Sequence, residues 1–295
     1  MTSLVVWTLA IGVVTAITCA LCGVLLVVKR EAFVSEGLSH SVLPGIILAY
    51  IVIEDRSSPL LVVAAGLSGM LMVGLVKAVS STRLVDRDAA LGIVFSALFS
   101  VGVIASSLKL GRVHFHAHCI IDGNLSFAAL QHVQLGGVDL GPQAFLTMSW
   151  MLVILVAFIT VFFKELTLMA FDEPTARLFG FRPGALHTVW LSLVAMTAVA
   201  AFETAGTILV VALMIAPAAT GNLLTHRLST LFVISGGIAA LSAVIGIGLG
   251  IGLDIAPAGP IATVSGLAFL LVVMLRAGRT RWRNRSLPAA HVGQA

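Results

Sequence analysis

Long apolar stretches alternate with short polar ones along almost the entire chain. Most of the apolar stretches have the length that an α-helix needs to cross the hydrocarbon core of a bilayer, about 20 residues. Hydropathy gives roughly nine of them, at 4–28, 34–53, 59–79, 89–108, 144–163, 186–201, 206–219, 230–253 and 260–275. The segment at 206–219 is short for a full span, which leaves open a broken or re-entrant helix and about eight complete crossings. We therefore expect an all-α fold, a polytopic transmembrane helical bundle of about 8–9 membrane segments.

The composition excludes a soluble domain. Of the 295 residues, 59% are hydrophobic and only 10% are charged, and the mean hydropathy is +1.10. A soluble fold could not keep so much apolar surface away from water with so little charge. The three cysteines, Cys19, Cys22 and Cys119, are too few and too scattered for a disulfide framework. Cys19 and Cys22 lie within an apolar run and are interpreted as packing residues of a helix.

The position of the basic residues predicts the orientation in the membrane. Alternating the segments leaves only Arg56, Lys109 and Arg112 on one side. The other side receives Lys29, Arg30, Lys77, Arg83, Arg87, Lys164, Arg177, Arg182, Arg227, Arg276, Arg279, Arg281, Arg283 and Arg285. Because basic residues concentrate in cytoplasmic loops, this second side is predicted to be cytoplasmic. The C-terminus is then inside, and the N-terminus is outside if nine segments cross.

The domain organisation follows from the same pattern. We expect a single integral-membrane domain at 1–280 and a polar cytoplasmic tail at 281–295 that is disordered. The Arg-rich stretch that begins at Arg276 is interpreted as a stop-transfer signal in contact with anionic membrane lipid. No nucleic-acid partner is expected.

Two ionisable residues lie inside the second apolar segment. Glu36 and His40 are four residues apart, so they share one face of a helix. An acid at membrane depth costs about 2.5–3.5 kcal/mol, so such residues are usually retained for a function. A carboxylate oxygen and an imidazole nitrogen at this spacing can hold one cation. Pro44 removes a backbone hydrogen bond and frees a carbonyl near residue 40, which predicts a kink beside the pair.

The longest polar interruption, at 109–141, contains a short histidine-rich stretch. In an extended strand, His114, His116 and His118 would point to one side and could bind a borderline metal such as Zn²⁺. A short histidine-rich tract is weak support for a site. If these residues act, collecting metal at the entrance is favoured over catalysis. Glu203, at an outside turn, is interpreted as an interfacial residue, with a role in a transport pathway as the alternative.

Two cytoplasmic stretches carry helix signals. At 171–180, Asp172 can cap a short helix begun by Pro174, and Gly180 can end it. At 213–228, an apolar segment runs into Pro217 and then into a compact polar helix. Such a surface helix between two spans could transmit motion to or from a soluble partner. The residues that would do so are Asn222, Leu223, Leu224, Thr225, His226 and Arg227.

Missing motifs exclude several enzyme classes. There is no G-x-x-x-x-G-K-[ST] sequence and no Gly-Lys pair, so the chain cannot hold ATP through a Walker A loop. There is also no H-E-x-x-H and no nucleophile elbow, which argues against an intramembrane protease or a lipid hydrolase. We expect no catalytic residues and no permanently bound cofactor.

Four motifs in series resemble those of a known family. They are the stretches at 36–45, 91–96, 171–180 and 206–219, which read EGLSHSVLPG, LGIVFS, FDEPTARLFG and GTILVVALMIAPAA. Together they resemble the permease subunits of bacterial manganese/zinc/iron ABC importers, over roughly residues 20 to 275. The chain is expected to be such a permease in the bacterial inner membrane.

The resemblance also implies partners and roles. A second permease chain, identical or related, would form the dimer, an extracytoplasmic metal-binding protein would deliver the ion, and cytoplasmic ABC ATPase subunits would drive transport. The family usually has an aspartate four residues before the histidine that faces the path, and here the pair is Glu36 and His40. The ATPase-coupling surface corresponds to roughly residues 220 to 229. Two protomers about a two-fold axis would supply two carboxylates and two imidazoles to a divalent ion in transit.

Other interpretations remain open at this point. The pair suits Mn²⁺, Fe²⁺ and Zn²⁺ and does not choose among them. A secondary carrier or channel could use the same pair without an ATPase, and a membrane enzyme could use the three histidines at 114–118 as zinc ligands. In a purely structural alternative, Glu36 and His40 satisfy each other inside the bundle.

Overall fold

The computed structural model describes residues 2–53, 60–110, 125–130, 132–135 and 138–285. The predicted metal residues His114, His116 and His118 lie outside these ranges, as do the last ten residues of the predicted tail. The helices and strands, in chain order, are α1 (Thr2–Val28), α2 (Phe33–Ile53), α3 (Leu60–Ser81), α4 (Arg87–Leu110), α5 (Leu125–Ala128), β1 (His132–Leu135), β2 (Val138–Pro142), α6 (Gln143–Val161), α7 (Phe163–Phe171), α8 (Glu173–Leu178), α9 (Pro183–Ala205), α10 (Thr207–Leu224), α11 (Leu228–Leu253) and α12 (Ala258–Arg285).

Nine helices within the described ranges are long and apolar enough to cross a membrane, which confirms the predicted helical membrane bundle. They are α1, α2, α3, α4, α6, α9, α10, α11 and α12. Strands β1 and β2 form a small antiparallel hairpin in the region predicted as a polar loop, with Gln134 opposite Asp139. Helix α12 continues past residue 280, the predicted end of the membrane domain, and reaches Arg285.

Helix α10 differs from the prediction for the seventh segment. At 18 residues it is the shortest of the nine, but it is unbroken and contains Pro217 in its interior. The freed backbone groups of a proline are tolerated in membrane helices because neighbouring helices and hydroxyl side chains satisfy them. The helix therefore runs on to Leu224, beyond the drop in hydropathy at residue 219.

The stretch at 220–229 also differs from the prediction of a separate surface helix. Residues 220–224 form the last turn of α10, residues 225–227 are a non-helical connection, and α11 begins at Leu228. The helix does not break at Pro217, so no new helix starts after it. The predicted helix ending at His226 and Arg227 is thus the end of a spanning helix and a short turn.

The helices pack in two groups. Helix α2 packs against both α3 and α4, which also contact each other. In the second group, α1 packs against α10 and α11, and α12 covers α10 and α11. Helix α9 lies between the groups and contacts α3, α2 and α1. The side chains buried between these helices form one large apolar cluster that includes Trp190 and Met148.

Glycines allow some of these helices to approach closely. A Cβ at Gly23 of α1 would overlap the Met214 carbonyl of α10, and one at Gly246 of α11 would overlap the Ile261 backbone of α12. In contrast, a Cβ at Gly248 or Gly252 would meet no atom within 4 Å. Only some of the glycines at 246–252 therefore allow close helix contact, as small residues commonly do in membrane proteins.

We expect Gly246→Ala to lower the free energy of unfolding by about 1–3 kcal/mol, because the methyl group meets backbone that cannot rotate away. The control is Gly248→Ala, two residues along the same helix and in open space. There alanine should be neutral or slightly stabilising, since it has the higher helix propensity. Thermal unfolding of the purified permease in detergent measures both changes. Equal shifts for the two variants would contradict the proposed contact.

The loop between α7 and α9 follows its sequence signals. The Asp172 side chain accepts a hydrogen bond from the Thr175 backbone N–H at 3.1 Å, and Pro174 lies in the first turn of α8. Gly180 follows the helix with a φ of 81°, a conformation that glycine adopts without strain. Hydrogen bonds from Thr175 lower the pKa of Asp172 below its usual value. The carboxylate therefore caps α8 at neutral pH.

Candidate functional site

Glu36 and His40 form a polar pair on the surface of α2. The His40 Nε2 and Glu36 Oε1 atoms are 3.3 Å apart, within hydrogen-bond distance across one helical turn. The side chain of Glu36 is 50% exposed and that of His40 is 41% exposed in the single chain. Both groups are therefore paired with each other and still accessible from one side, unlike a pair sealed inside the bundle.

Two aromatic residues of α4 hold the imidazole of His40. The ring of Phe95 is stacked on it at a centroid distance of 5.4 Å and an interplanar angle of 19°. The ring of Phe99 meets it edge-on at 5.5 Å and 81°. These contacts restrict the rotation of the imidazole and shield part of it from water. Phe95 belongs to the motif at 91–96, but its contact with His40 could not be derived from spacing.

Close packing of α2 against its neighbours supports the pair. A Cβ at Gly102 of α4 would lie 3.0 Å from the Cα atom of Pro44, and one at Gly45 would lie 2.6 Å from the Ala64 carbonyl oxygen of α3. The Ser68 hydroxyl donates a hydrogen bond of 2.5 Å to the Ser41 carbonyl, next to the carbonyl that Pro44 was predicted to free. Helix α2 continues through Pro44 to Ile53. The helix that bears the pair is thus fixed on two sides.

A second ionic cluster, which the sequence did not reveal, lies where α1 turns into α2. Glu31, whose side chain is 6% exposed, pairs with the Arg87 guanidinium at the start of α4. Its other carboxylate oxygen is 2.8 Å from His187 Nε2 in the first turns of α9. Arg30 ends α1 with a φ of 59°, and the Glu31 N–H donates to the Leu26 carbonyl at 2.7 Å. This turn places the Glu31 side chain in contact with Arg87 and His187, which lie 56 and 156 residues further along the chain.

The Glu31 cluster and the Glu36–His40 pair lie on different faces of α2. At 100° per residue, Val34 is about 160° around the helix from Glu36. Val34 lines a cavity beside Arg87 and His187, whereas His40 faces Phe95 and Phe99. One face of α2 thus carries an accessible pair of metal-type donors, and the opposite face borders the cavity that Arg87 and His187 also line.

Among the residues that the structure describes, the other predicted site residues form no hydrogen bond or ion pair with Glu36 or His40. Glu203 is an exposed residue near the end of α9. It lies 16 residues from His187, about 24 Å along the helix and at the opposite end of the bundle. Cys19 and Cys22 are buried and free. In the predicted coupling stretch, Asn222, Leu224, His226 and Arg227 are exposed, and Leu223 and Thr225 are partly buried.

A single chain supplies few metal donors. Within the described ranges, no group of three or more His, Cys, Asp or Glu side chains is arranged to hold a metal ion. Glu36 and His40 together offer one carboxylate and one imidazole, which is half of a four-donor set. Beyond these two donors, the described part of the chain leaves the rest of an ion's coordination shell to other ligands.

The fold defines a multi-pass membrane protein, and comparisons with known proteins define its family. The model of the family described as "ABC 3 transport family" matches residues 1–276, so the chain belongs to that family. This confirms the family indicated by the four sequence motifs, and the chain is therefore a transporter membrane subunit and not a catalytic one.

Individual relatives are similar over most of their length. The manganese transport system membrane protein MntD of Bacillus subtilis is 34% identical over 89% of this chain and 89% of its own. The zinc transport system membrane protein TroD of Treponema pallidum is 36% identical over 90% of this chain and 72% of its own. Among solved structures, PsaBC from Streptococcus pneumoniae in complex with Fab has a TM-score of 0.73 at 23% identity, covering 90% of this chain and 89% of that one. This last likeness establishes the fold.

Proposed function

We propose that this chain is the permease subunit of an ATP-driven importer of divalent transition metal ions, and that the ion passes Glu36 and His40 at the interface of a permease dimer. The observation that carries the proposal is the half-exposed Glu36–His40 pair on the outer face of α2. Relatives named for manganese and zinc transport support the class of cargo.

The donor chemistry matches this class of cargo. A carboxylate oxygen and a neutral imidazole nitrogen suit Mn²⁺, Fe²⁺ and Zn²⁺, and no thiolate is needed. Because one chain offers only two donors, a second permease chain across a two-fold axis would complete a set of four. Stacking on Phe95 restricts the rotation of the imidazole. An ion held by few protein ligands is also released easily, which transport requires.

The proposal includes an orientation and partners. The end of the bundle that carries Arg30, Lys77 and Arg87 faces the cytoplasm by the positive-inside rule, which places the C-terminus inside and, with nine crossings, the N-terminus outside. At that end, the exposed residues between α10 and α11 would contact a cytoplasmic ABC ATPase. An extracytoplasmic metal-binding protein would deliver the ion to the opposite end.

The test is metal uptake in cells that lack the permease. Radioactive Mn²⁺, Zn²⁺ and Fe²⁺ are supplied separately, and we expect the restored chain to return uptake of at least one of them. Uptake should disappear again when the partner ATPase carries an inactivated Walker A lysine. Transport by the purified chain alone in liposomes, driven by an ion gradient, would instead identify a secondary carrier and contradict the proposal.

A further inference from the structure

A cavity of about 200 Å³ lies between α2, α3, α4 and α9, on the face of α2 away from the Glu36–His40 pair. Its walls are apolar and include Met72, Val73 and Val76 of α3. Its rim is polar and includes Lys77, Arg87 and Thr188. The cavity therefore combines an apolar interior with a cationic edge.

The charge on this rim is only partly compensated. Arg87 is paired with Glu31, whose other carboxylate oxygen is bonded to His187. The Lys77 ammonium donates a hydrogen bond of 3.0 Å to the Thr188 hydroxyl across the gap between α3 and α9. Among the residues that the structure describes, Lys77 has no carboxylate partner. Since an ammonium has three N–H donors, Lys77 retains two for a ligand, and the rim carries one unmatched positive charge.

The position of the cavity narrows the choice of ligand. Lys77 lies four residues before the end of α3, at the basic end of the bundle, and Leu71 and Leu75 are exposed on the same helix. The rim is thus close to the membrane interface, while the helix beside it presents apolar side chains of the kind that face acyl chains. A phosphate group suits the rim, but a free phosphate ion would leave the apolar walls without a partner.

We propose that this cavity binds the phosphate group of an anionic phospholipid. The phosphate accepts hydrogen bonds from Lys77 and from the remaining guanidinium N–H groups of Arg87. The glycerol and the first methylenes of the acyl chains lie against Val73 and Val76. The bound lipid bridges α3 and α9, and so links the group of α2, α3 and α4 to the helix that lies between the two groups. The site is separate from the metal pair, so it does not depend on the transport function proposed above.

The experiment uses the full-length permease in detergent and measures lipid binding by native mass spectrometry. Phosphatidylglycerol, phosphatidylcholine and inorganic phosphate are the three probes. We expect phosphatidylglycerol to bind in preference to phosphatidylcholine. Lys77→Gln should weaken phosphatidylglycerol binding about five-fold, as expected for one lysine contact with an anionic lipid, and Lys77→Arg should retain it. Lys164→Gln is the matched control, because this exposed lysine lies at the start of α7 and does not line the cavity.

Each other outcome contradicts the site. Equal binding of the two phospholipids would show that the net negative charge of the headgroup is not recognised. Equal losses in Lys77→Gln and Lys164→Gln would show general attraction to a basic surface. Displacement of phosphatidylglycerol by millimolar inorganic phosphate would show that the cavity binds the soluble ion, and would overturn the proposal of a lipid site. A thermal unfolding curve of each variant separates these results from loss of fold.

Discussion

Replacing His40 by alanine is expected to reduce metal uptake by at least about 100-fold, the upper end of the losses seen when groups that support a metal site are removed. The substitution removes the nitrogen donor 3.3 Å from Glu36 and also the ring stacked on Phe95. Glu36 alone would then offer only a carboxylate to an ion that has lost part of its water shell. Uptake of the radioactive ion that the unaltered permease transports measures the loss.

The controls for His40→Ala separate transport from assembly. Ser39→Ala changes the adjacent residue, whose hydroxyl donates to the Glu36 backbone carbonyl, and should leave uptake within about two-fold, since local side-chain bonds of this kind are weak. The His40→Ala permease should still co-purify with its ATPase, because His40 is not one of the exposed residues in the turn between α10 and α11. Normal uptake in both His40→Ala and Glu36→Gln would show that the pair is not part of the transport path.

Local features of the fold and of the site were predictable from the sequence. Glu36 and His40 are one helical turn apart, so their contact depends only on α2 being a helix. The cap at Asp172 and the end of α8 at Gly180 likewise depend on neighbouring residues. Spans could be located because each is an apolar run of membrane length.

Features that join distant parts of the chain were not predictable. Glu31 looked like one more charge after Lys29 and Arg30, because nothing in its neighbours reveals Arg87 or His187. The glycines at 246–252 look equivalent in sequence, yet only the packing of α12 distinguishes Gly246 from Gly248. The end of α10 was placed five residues early because hydropathy falls after Pro217, whereas the helix continues by its packing. In each case tertiary contacts decide the outcome.

Ion binding and the positioning of α2 depend on different residues of the protomer. The outer face bears the proposed ion ligands, and the corner before the helix is tied to α4 and α9 through Glu31. A helix that carries ligands must be positioned accurately for an ion to be held and released. The buried carboxylate of Glu31 is therefore expected to matter for stability and not for ion binding.

Arg87→Ala is expected to lower the free energy of unfolding by about 3 kcal/mol. Removing one partner of a buried ion pair typically costs 3–5 kcal/mol, because the other charge stays buried without compensation. Here the lower end applies, since the Arg87 side chain is 41% exposed while Glu31 is 6% exposed. Among the residues that the structure describes, His187 then remains as the partner of the carboxylate, and an imidazole does not carry the permanent charge of a guanidinium. Chemical or thermal unfolding of the purified permease in detergent measures the change.

Two further variants test whether the loss of stability comes from the Glu31 carboxylate that Arg87→Ala leaves without its charged partner. Arg182→Ala removes an exposed arginine at the start of α9, on the same end of the bundle, and should change stability by less than about 0.5 kcal/mol. Adding Glu31→Gln to Arg87→Ala should restore part of the lost stability, because the glutamine amide is neutral and can still bond to His187. If Arg87→Ala and Arg182→Ala lower stability equally, or if Glu31→Gln deepens the loss, Glu31 is not a buried charge that depends on Arg87.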